Sequence, residues 1–399
     1  MRPYKHHFST LLHLPRRPSE FLSLLYLVAV IRNLVFILLN LFLPIFVFKI
    51  FLELGSSEKE ALILIGLTFL YFQTVHGILT FAVSKVISHY GTKVGFIIGQ
   101  VALSGSLYML FHSKSLEGVF ASFLIWAVAA AFYWISYHTF FLEMGKPGKF
   151  GEELGLVEML TILTGLTAPA LTGALIALKG PQILFTVCVL LILVTLVLIL
   201  LVKDNQKLGS VGLKTTLLDI RGNKRDFISF IGAGGQEIIY SVAWPLILFA
   251  VFKNYLEVGI IASIILLTSG LTSFFVGKLS DHVNKVSIEK IGSAVISATF
   301  IGRVFFQTPL SLYALDSIYK IFSSAFNLPL EALAYTKAVD GDKVRYIVFR
   351  ELGYKAGGIL GMVSFLVVLY LGLSFWWTFA FAALFSLLPM AARQKNFEA

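Results

Sequence analysis

Seven charged side chains stand inside apolar stretches of this sequence: Arg32, Glu158, Glu237, Arg303, Asp316, Lys320 and Glu331. At the centre of a bilayer each costs ~2.5 to 3.5 kcal/mol on an insertion scale, so each needs a partner, water or a ligand. Carboxylates and cations in such a setting are suited to moving protons. An apolar surrounding favours the neutral carboxyl and a nearby cation favours the ionised one, so a shift of either group binds or releases a proton. Glu237 is the best candidate. Its run, GAGGQEIIYSVAWP over 232–245, sets three glycines beside the carboxylate and places Gln236, Tyr240 and Trp244 on the same helix.

Arg32 is the expected counter-charge. Aligning Pro44 with Pro245 puts Arg32 and Glu237 a helical turn apart in equivalent helices, with a permanent structural ion pair as the alternative. Asp316 and Lys320, at helical i, i+4 spacing, are expected to neutralise each other on one face. Glu158 and Glu331 fall toward one membrane face and are expected to serve a gate or meet water. Arg303, near the end of its apolar run, is expected to snorkel to the interface. Tyr133, Trp134, Tyr137 and His138 follow helical spacing, an aromatic surface with hydrogen-bonding tips; plain packing is the alternative. Asn33, Asn40 and Tyr319 complete the candidate solute-binding set, and His76 reads as a structural histidine.

Other chemistries find little support. The sequence has no Gly-x-x-x-x-Gly-Lys-Ser/Thr loop, no paired cysteines at metal spacing and no His-Glu-x-x-His helix. No catalytic residue, metal or cofactor is expected, and an ATP-driven pump is disfavoured. Cys188, the single cysteine, excludes an intrachain disulfide and reads as a small core residue.

The elements carrying these groups are twelve apolar spans. Of 399 residues, 57% are hydrophobic and 14% charged, and mean hydropathy is +0.86. Since a crossing takes roughly 20 apolar residues, spans are expected near 21–48, 60–86, 93–112, 118–142, 154–178, 181–202, 227–252, 258–280, 287–308, 310–335, 345–371 and 373–392. The run from Phe21 is too long for a signal-peptide core, so no cleavage is expected. Of the Lys and Arg residues outside the spans, Lys49, Lys59, Lys114, Lys179 and Lys253 lie on one side, and the rest fall on the N-terminus, the loops after even spans and the tail. That asymmetry predicts cytoplasmic termini in a multi-pass protein of the cell membrane. Net charge +10 spread along that face fits anionic headgroups and not nucleic acid.

Three echoes reveal a repeat: FKIFLELG (48–55) with FKNYLEVG (252–259), Glu153-Leu154-Gly155 with Glu351-Leu352-Gly353, and SKVISHYG (84–91) with GKLSDHVN (277–284). They predict a cytoplasmic N-terminal segment (1–20), an N-terminal six-helix bundle (21–202), a cytoplasmic linker (203–226), a C-terminal six-helix bundle (227–392) and a tail (393–399).

Gly277-Lys278-Leu279-Ser280-Asp281-His282, with Lys285 downstream, resembles the loop motif of the major facilitator superfamily, and so does the paired repeat over nearly the whole chain. The first copy departs from it, with Ser84 and Ser88 at the glycine and aspartate positions. Gly165, Ala168-Pro169 and Thr172-Gly173 resemble a degenerate antiporter motif, with a packing kink as the alternative. The family's usual span 4 arginine is absent from residues 123–142.

The resemblance implies an all-α fold of two pseudo-symmetric six-helix bundles, with spans 1, 4, 7 and 10 lining a cavity and spans 2, 5, 8 and 11 flanking it. It also implies a gate, for which Gly277, Asp281, His282, Lys285, Glu153, Pro169, Glu331, Arg350 and Glu351 are the candidates. The function it implies is secondary transport by a monomer in contact with lipids, here read as proton-coupled export of an amphipathic or aromatic small molecule. Uptake of an anionic solute, lipid flipping and a non-transporting receptor or scaffold stay open.

Overall fold

The computed structural model describes residues 20–201, 211–339 and 341–393. Most of the expected N-terminal segment and tail, and linker residues 203–210, lie outside them.

Local chemistry sets the helix ends. Span 1 is Glu20–Glu53, and span 2, Glu58–Tyr90, begins at a reciprocal cap in which Glu60 N–H donates to Ser57 Oγ (3.3 Å) and Ser57 N–H to Glu60 Oε2 (2.8 Å). Spans 3 and 4 are Thr92–Phe111 and Leu116–Met144. Span 5 is in two pieces, Phe150–Gly165 and Ala168–Lys179, because Pro169 lacks the N–H needed to continue one helix and instead sits in the first turn of the next. Span 6 is Gln182–Leu201.

The second set is Lys224–Phe252, Tyr255–His282, Lys285–Phe305, Pro309–Val339 and Lys343–Tyr370 for spans 7 to 11, then a span 12 built of Thr378–Leu387 with 3-10 turns at Phe375–Trp377 and Leu388–Ala391. Asn254, Asn284 and Asp342 cap spans 8, 9 and 11 with their side-chain oxygens. Among the described residues, nine of the spans are long and apolar enough to cross a membrane by length and composition alone. Spans 9, 10 and 12 are not among them. The first two carry several charged residues, and 3-10 turns flank the helix of the third.

The linker is not all irregular. Leu213–Gly222 is helical, and Arg345 Nε at the start of span 11 donates to its Asp219 Oδ2 at 2.7 Å.

Glycines let the two bundles meet closely. A Cβ on Gly277 of span 8 would strike the Gly151 carbonyl oxygen and stand 2.9 Å from Gly155 Cα of span 5. Farther along the same two spans, Gly259 lies against the Pro169 carbonyl. The face where the loops after even spans emerge is called the basic face below. Spans 4 and 10 close the cavity there through Tyr335 against Phe141 (5.2 Å between ring centroids). Toward the opposite face, Phe42 of span 1 meets Tyr255 of span 8 at 6.2 Å, and Lys49 Nζ lies 4.6 Å from the same ring.

Candidate functional site

A cavity of about 590 Å³ lies between the bundles, lined by residues of spans 1, 2, 4, 5, 7, 8, 10 and 11. Aromatic rings form much of the wall: Phe36 stacks on Trp134 (5.5 Å), Trp134 on His138 (5.4 Å) and Tyr240 on Tyr319 (4.2 Å). Asn33, Asn40, Tyr137, Gln236, Trp244, Asp316 and Lys320 also reach this space. Tyr133 does not. It is buried behind the wall, with Arg32 above its ring.

Glu237 opens onto the cavity from span 7 and makes no hydrogen bond or ion pair through its carboxylate among the described residues. Its expected counter-charge is misplaced. Arg32 is fully buried and packs on Phe36 (4.3 Å) and Tyr133 (4.6 Å), and its nitrogens meet no acceptor among the described residues. The proline alignment set the height of the two residues but not the direction in which Arg32 points. Two cations of span 11, Lys355 and Arg350, line the same cavity as Glu237. Lys355 is absent from the candidate residues of the sequence, although it lies inside the span expected at 345–371.

Two further expectations fail. Arg303 does not snorkel: it is fully buried, donates from Nη2 to Asp316 Oδ1 at 2.6 Å, and lies among Trp244 (4.3 Å), Tyr319 (5.0 Å), Phe300 (5.1 Å), Tyr240 (5.3 Å) and Phe379 (5.4 Å). A guanidinium held by a carboxylate at Nη2 and by ring faces is anchored in the bundle, although its Nε and Nη1 meet no acceptor among the described residues. Asp316 therefore pairs with Arg303 and accepts from Tyr240 Oη (3.0 Å), and it forms no ion pair with Lys320. Glu158 and Glu331 both line the cavity; Glu158 Oε1 accepts from Ser273 Oγ (3.0 Å) and Ser324 Oγ (3.2 Å).

Toward the basic face, one network joins the bundles. Arg350 of span 11 donates from Nε to Glu331 Oε2 (3.1 Å) and through its other nitrogens to Glu331 Oε1 and Glu351 Oε1, while Tyr354 Oη donates to Glu331 Oε1 (3.1 Å). Arg350 Nη1 also meets His138 Nε2 of span 4 at 3.2 Å. A guanidinium only donates, so His138 accepts there and its Nδ1–H donates to Tyr335 Oη at 2.5 Å. His76 Nε2 of span 2 stands 3.9 Å from Glu351 Oε2.

At the basic face itself, Asp281 accepts from the backbone N–H of Gly151 (3.1 Å) and Glu152 (2.7 Å), capping span 5 from span 8. Lys285 Nζ lies 3.8 Å from Asp281 Oδ1. Glu153 accepts from the Lys146 backbone N–H (3.3 Å), whereas His282 is exposed. In the first copy, Ser84 and Ser88 donate to carbonyls of their own helix and reach no other span.

The family model described as Major Facilitator Superfamily matches residues 25–224. The chain belongs to the major facilitator superfamily. A search of curated proteins returns no match. Among solved structures the fold is similar to that of the human organic anion transporter MFSD10 (TETRAN), at TM-score 0.71 and 14% identity, covering 94% of this chain and 99% of that one. It is also similar to the E. coli fucose:proton symporter FucP (TM-score 0.64, 14% identity, 93% and 96% covered) and to FucP in its outward conformation (0.66, 15%, 93% and 96%). This superfamily member is thus a multi-pass membrane transporter with the fold of two six-helix bundles, not an enzyme.

Proposed function

We propose that this transporter exchanges protons for an amphipathic aromatic small molecule, exporting it by alternating access of the cavity between the bundles. The observation that carries the reading is Glu237: an ion-pair-free carboxylate opening into an aromatic-lined chamber. A carboxylate so exposed binds either a proton or the basic or hydrogen-bond-donating end of a solute, and exclusive occupancy of one group by two ligands is an exchange mechanism. Lys355 replaces Arg32 as the counter-charge. It lines the same cavity, so an ionised Glu237 and a bound solute can share its charge.

The gate in this reading has two layers. The Asp281 cap and the Arg350 network hold the basic side shut, and both must open when the cavity turns to that side. Trp134, Tyr137 and Tyr240 supply faces for an aromatic body, and Asn33, Asn40 and Gln236 supply hydrogen bonds.

The test is a proteoliposome flux screen with an imposed proton gradient, comparing the native protein with Glu237→Gln. Gradient-driven flux in the native protein and only gradient-independent exchange in the variant is the expected result. Equal gradient-driven flux in both removes Glu237 from coupling.

A further inference from the structure

Among the described residues Lys320 is a cation without an ion pair, and the reason lies on a different helix. By spacing alone, its partner is Asp316, one turn earlier on span 10. That carboxylate is already engaged, since Arg303 of span 9 donates to it at 2.6 Å and Tyr240 of span 7 at 3.0 Å. The remaining carboxylate acting on Lys320 is Glu158 of span 5, whose Oε1 is taken by Ser273 and Ser324. Lys320 is left at the cavity wall with its Nζ 5.0 Å from the centre of the Tyr240 ring and 5.8 Å from that of Tyr319. Ring faces soften the cost of an unpaired ammonium without supplying an acceptor, so its hydrogen-bonding capacity stays directed at the chamber.

We infer that Lys320 docks an anionic group of the transported solute, and that Arg303 is the positioning residue that makes this possible by withholding Asp316 from Lys320. The inference rests on the proposed exchange at Glu237 and narrows its substrate class. With a basic end at Glu237 and an anionic end at Lys320, the solute is a zwitterionic aromatic molecule. The two poles lie close together, because Tyr240, over which Lys320 stands, is one helical turn from Glu237 on span 7. The wall rings around them receive the aromatic body.

Binding to the detergent-solubilised full chain, with no gradient, tests this separately from transport. The probes are radiolabelled tryptophan, its methyl ester and its N-acetyl derivative, which share one ring system and differ in charge. The native protein is expected to bind tryptophan most tightly. Lys320→Gln should weaken tryptophan and N-acetyltryptophan by about tenfold, as for a lost charge-assisted hydrogen bond, and leave the ester unchanged.

Arg303→Gln should produce the same selective loss, as the freed Asp316 turns to Lys320. Adding Asp316→Asn should restore carboxylate binding. That double variant removes both charges of a buried pair, the exchange that buried pairs tolerate best, so it folds even where the single variant does not. A purely structural role for Arg303 gives no such rescue. Tryptophan that binds no better than its ester, or a double variant that folds without regaining carboxylate binding, overturns the inference. Equal gradient-driven flux in the native protein and Glu237→Gln would instead overturn the exchange on which it rests.

Discussion

Two charged clusters face the same cavity and differ in what they connect. Arg303, Asp316, Tyr240 and Tyr319 all belong to spans 7, 9 and 10 of the C-terminal bundle, so their geometry survives any movement of one bundle against the other. Arg350, Glu331 and Glu351 also belong to that bundle, but their network reaches across to His138 of span 4 and His76 of span 2. The first cluster can shape a binding surface in every state. In the proposed alternating-access cycle the second is intact in one state and comes apart in another, which suits a gate. Position relative to the moving seam, more than the kind of charge, separates a fixed wall from a latch.

Breaking the seam cluster should have the largest effect. Arg350→Gln leaves Glu331 and Glu351 without their shared cation, a change worth about 3–5 kcal/mol in a buried pair, and should abolish transport and lower the thermal midpoint in detergent. The matched change in the fixed wall, Arg303→Gln with Asp316→Asn, should leave that midpoint within a few degrees of native. A comparable drop in both would erase the distinction between the clusters.

Asp281→Asn should come next. It weakens two backbone hydrogen bonds at the N-terminus of span 5, worth about 1–2 kcal/mol together, and should favour the state open to the basic face. Faster maleimide labelling of a cysteine placed at Asn327, with Cys188 replaced by alanine, would report it. Tyr335→Phe should be smallest. It removes the acceptor of His138 Nδ1–H, about 1 kcal/mol, and should raise the same labelling rate slightly while leaving solute affinity unchanged.

Much of the fold was legible because membrane crossings leave long apolar runs with caps and basic flanks. Each observed span begins and ends within a few residues of its expected place, and the three sequence echoes fall at corresponding points of the two sets of spans. Asp281 stood out only through the loop motif that resembles the superfamily's, and the structure sets it as a cap on span 5. Pairing inside the spans was not legible. A span's sequence fixes the height of a charge in the membrane, but a rotation of the helix decides which neighbour the side chain meets. Arg32 and Glu237 matched in height and diverged in direction. Asp316 and Lys320 matched on their own helix and were separated by Arg303, whose claim on Asp316 depends on how spans 9 and 10 pack. Lys355 sits within the span expected at 345–371, and only the packing of span 11 turns it to the cavity.

Rocking of the two bundles around the cavity is tested most directly by pulsed electron-electron distance measurements on spin labels in a Cys188→Ala background. One pair at Tyr90 and Val283 reports the basic face, and one at Leu116 and Leu310 reports the opposite face; all four side chains are exposed. Comparing the native protein with Glu237→Gln in nanodiscs, the account predicts that one pair lengthens while the other shortens. Two unchanging distances, or both pairs moving in the same sense, would contradict it.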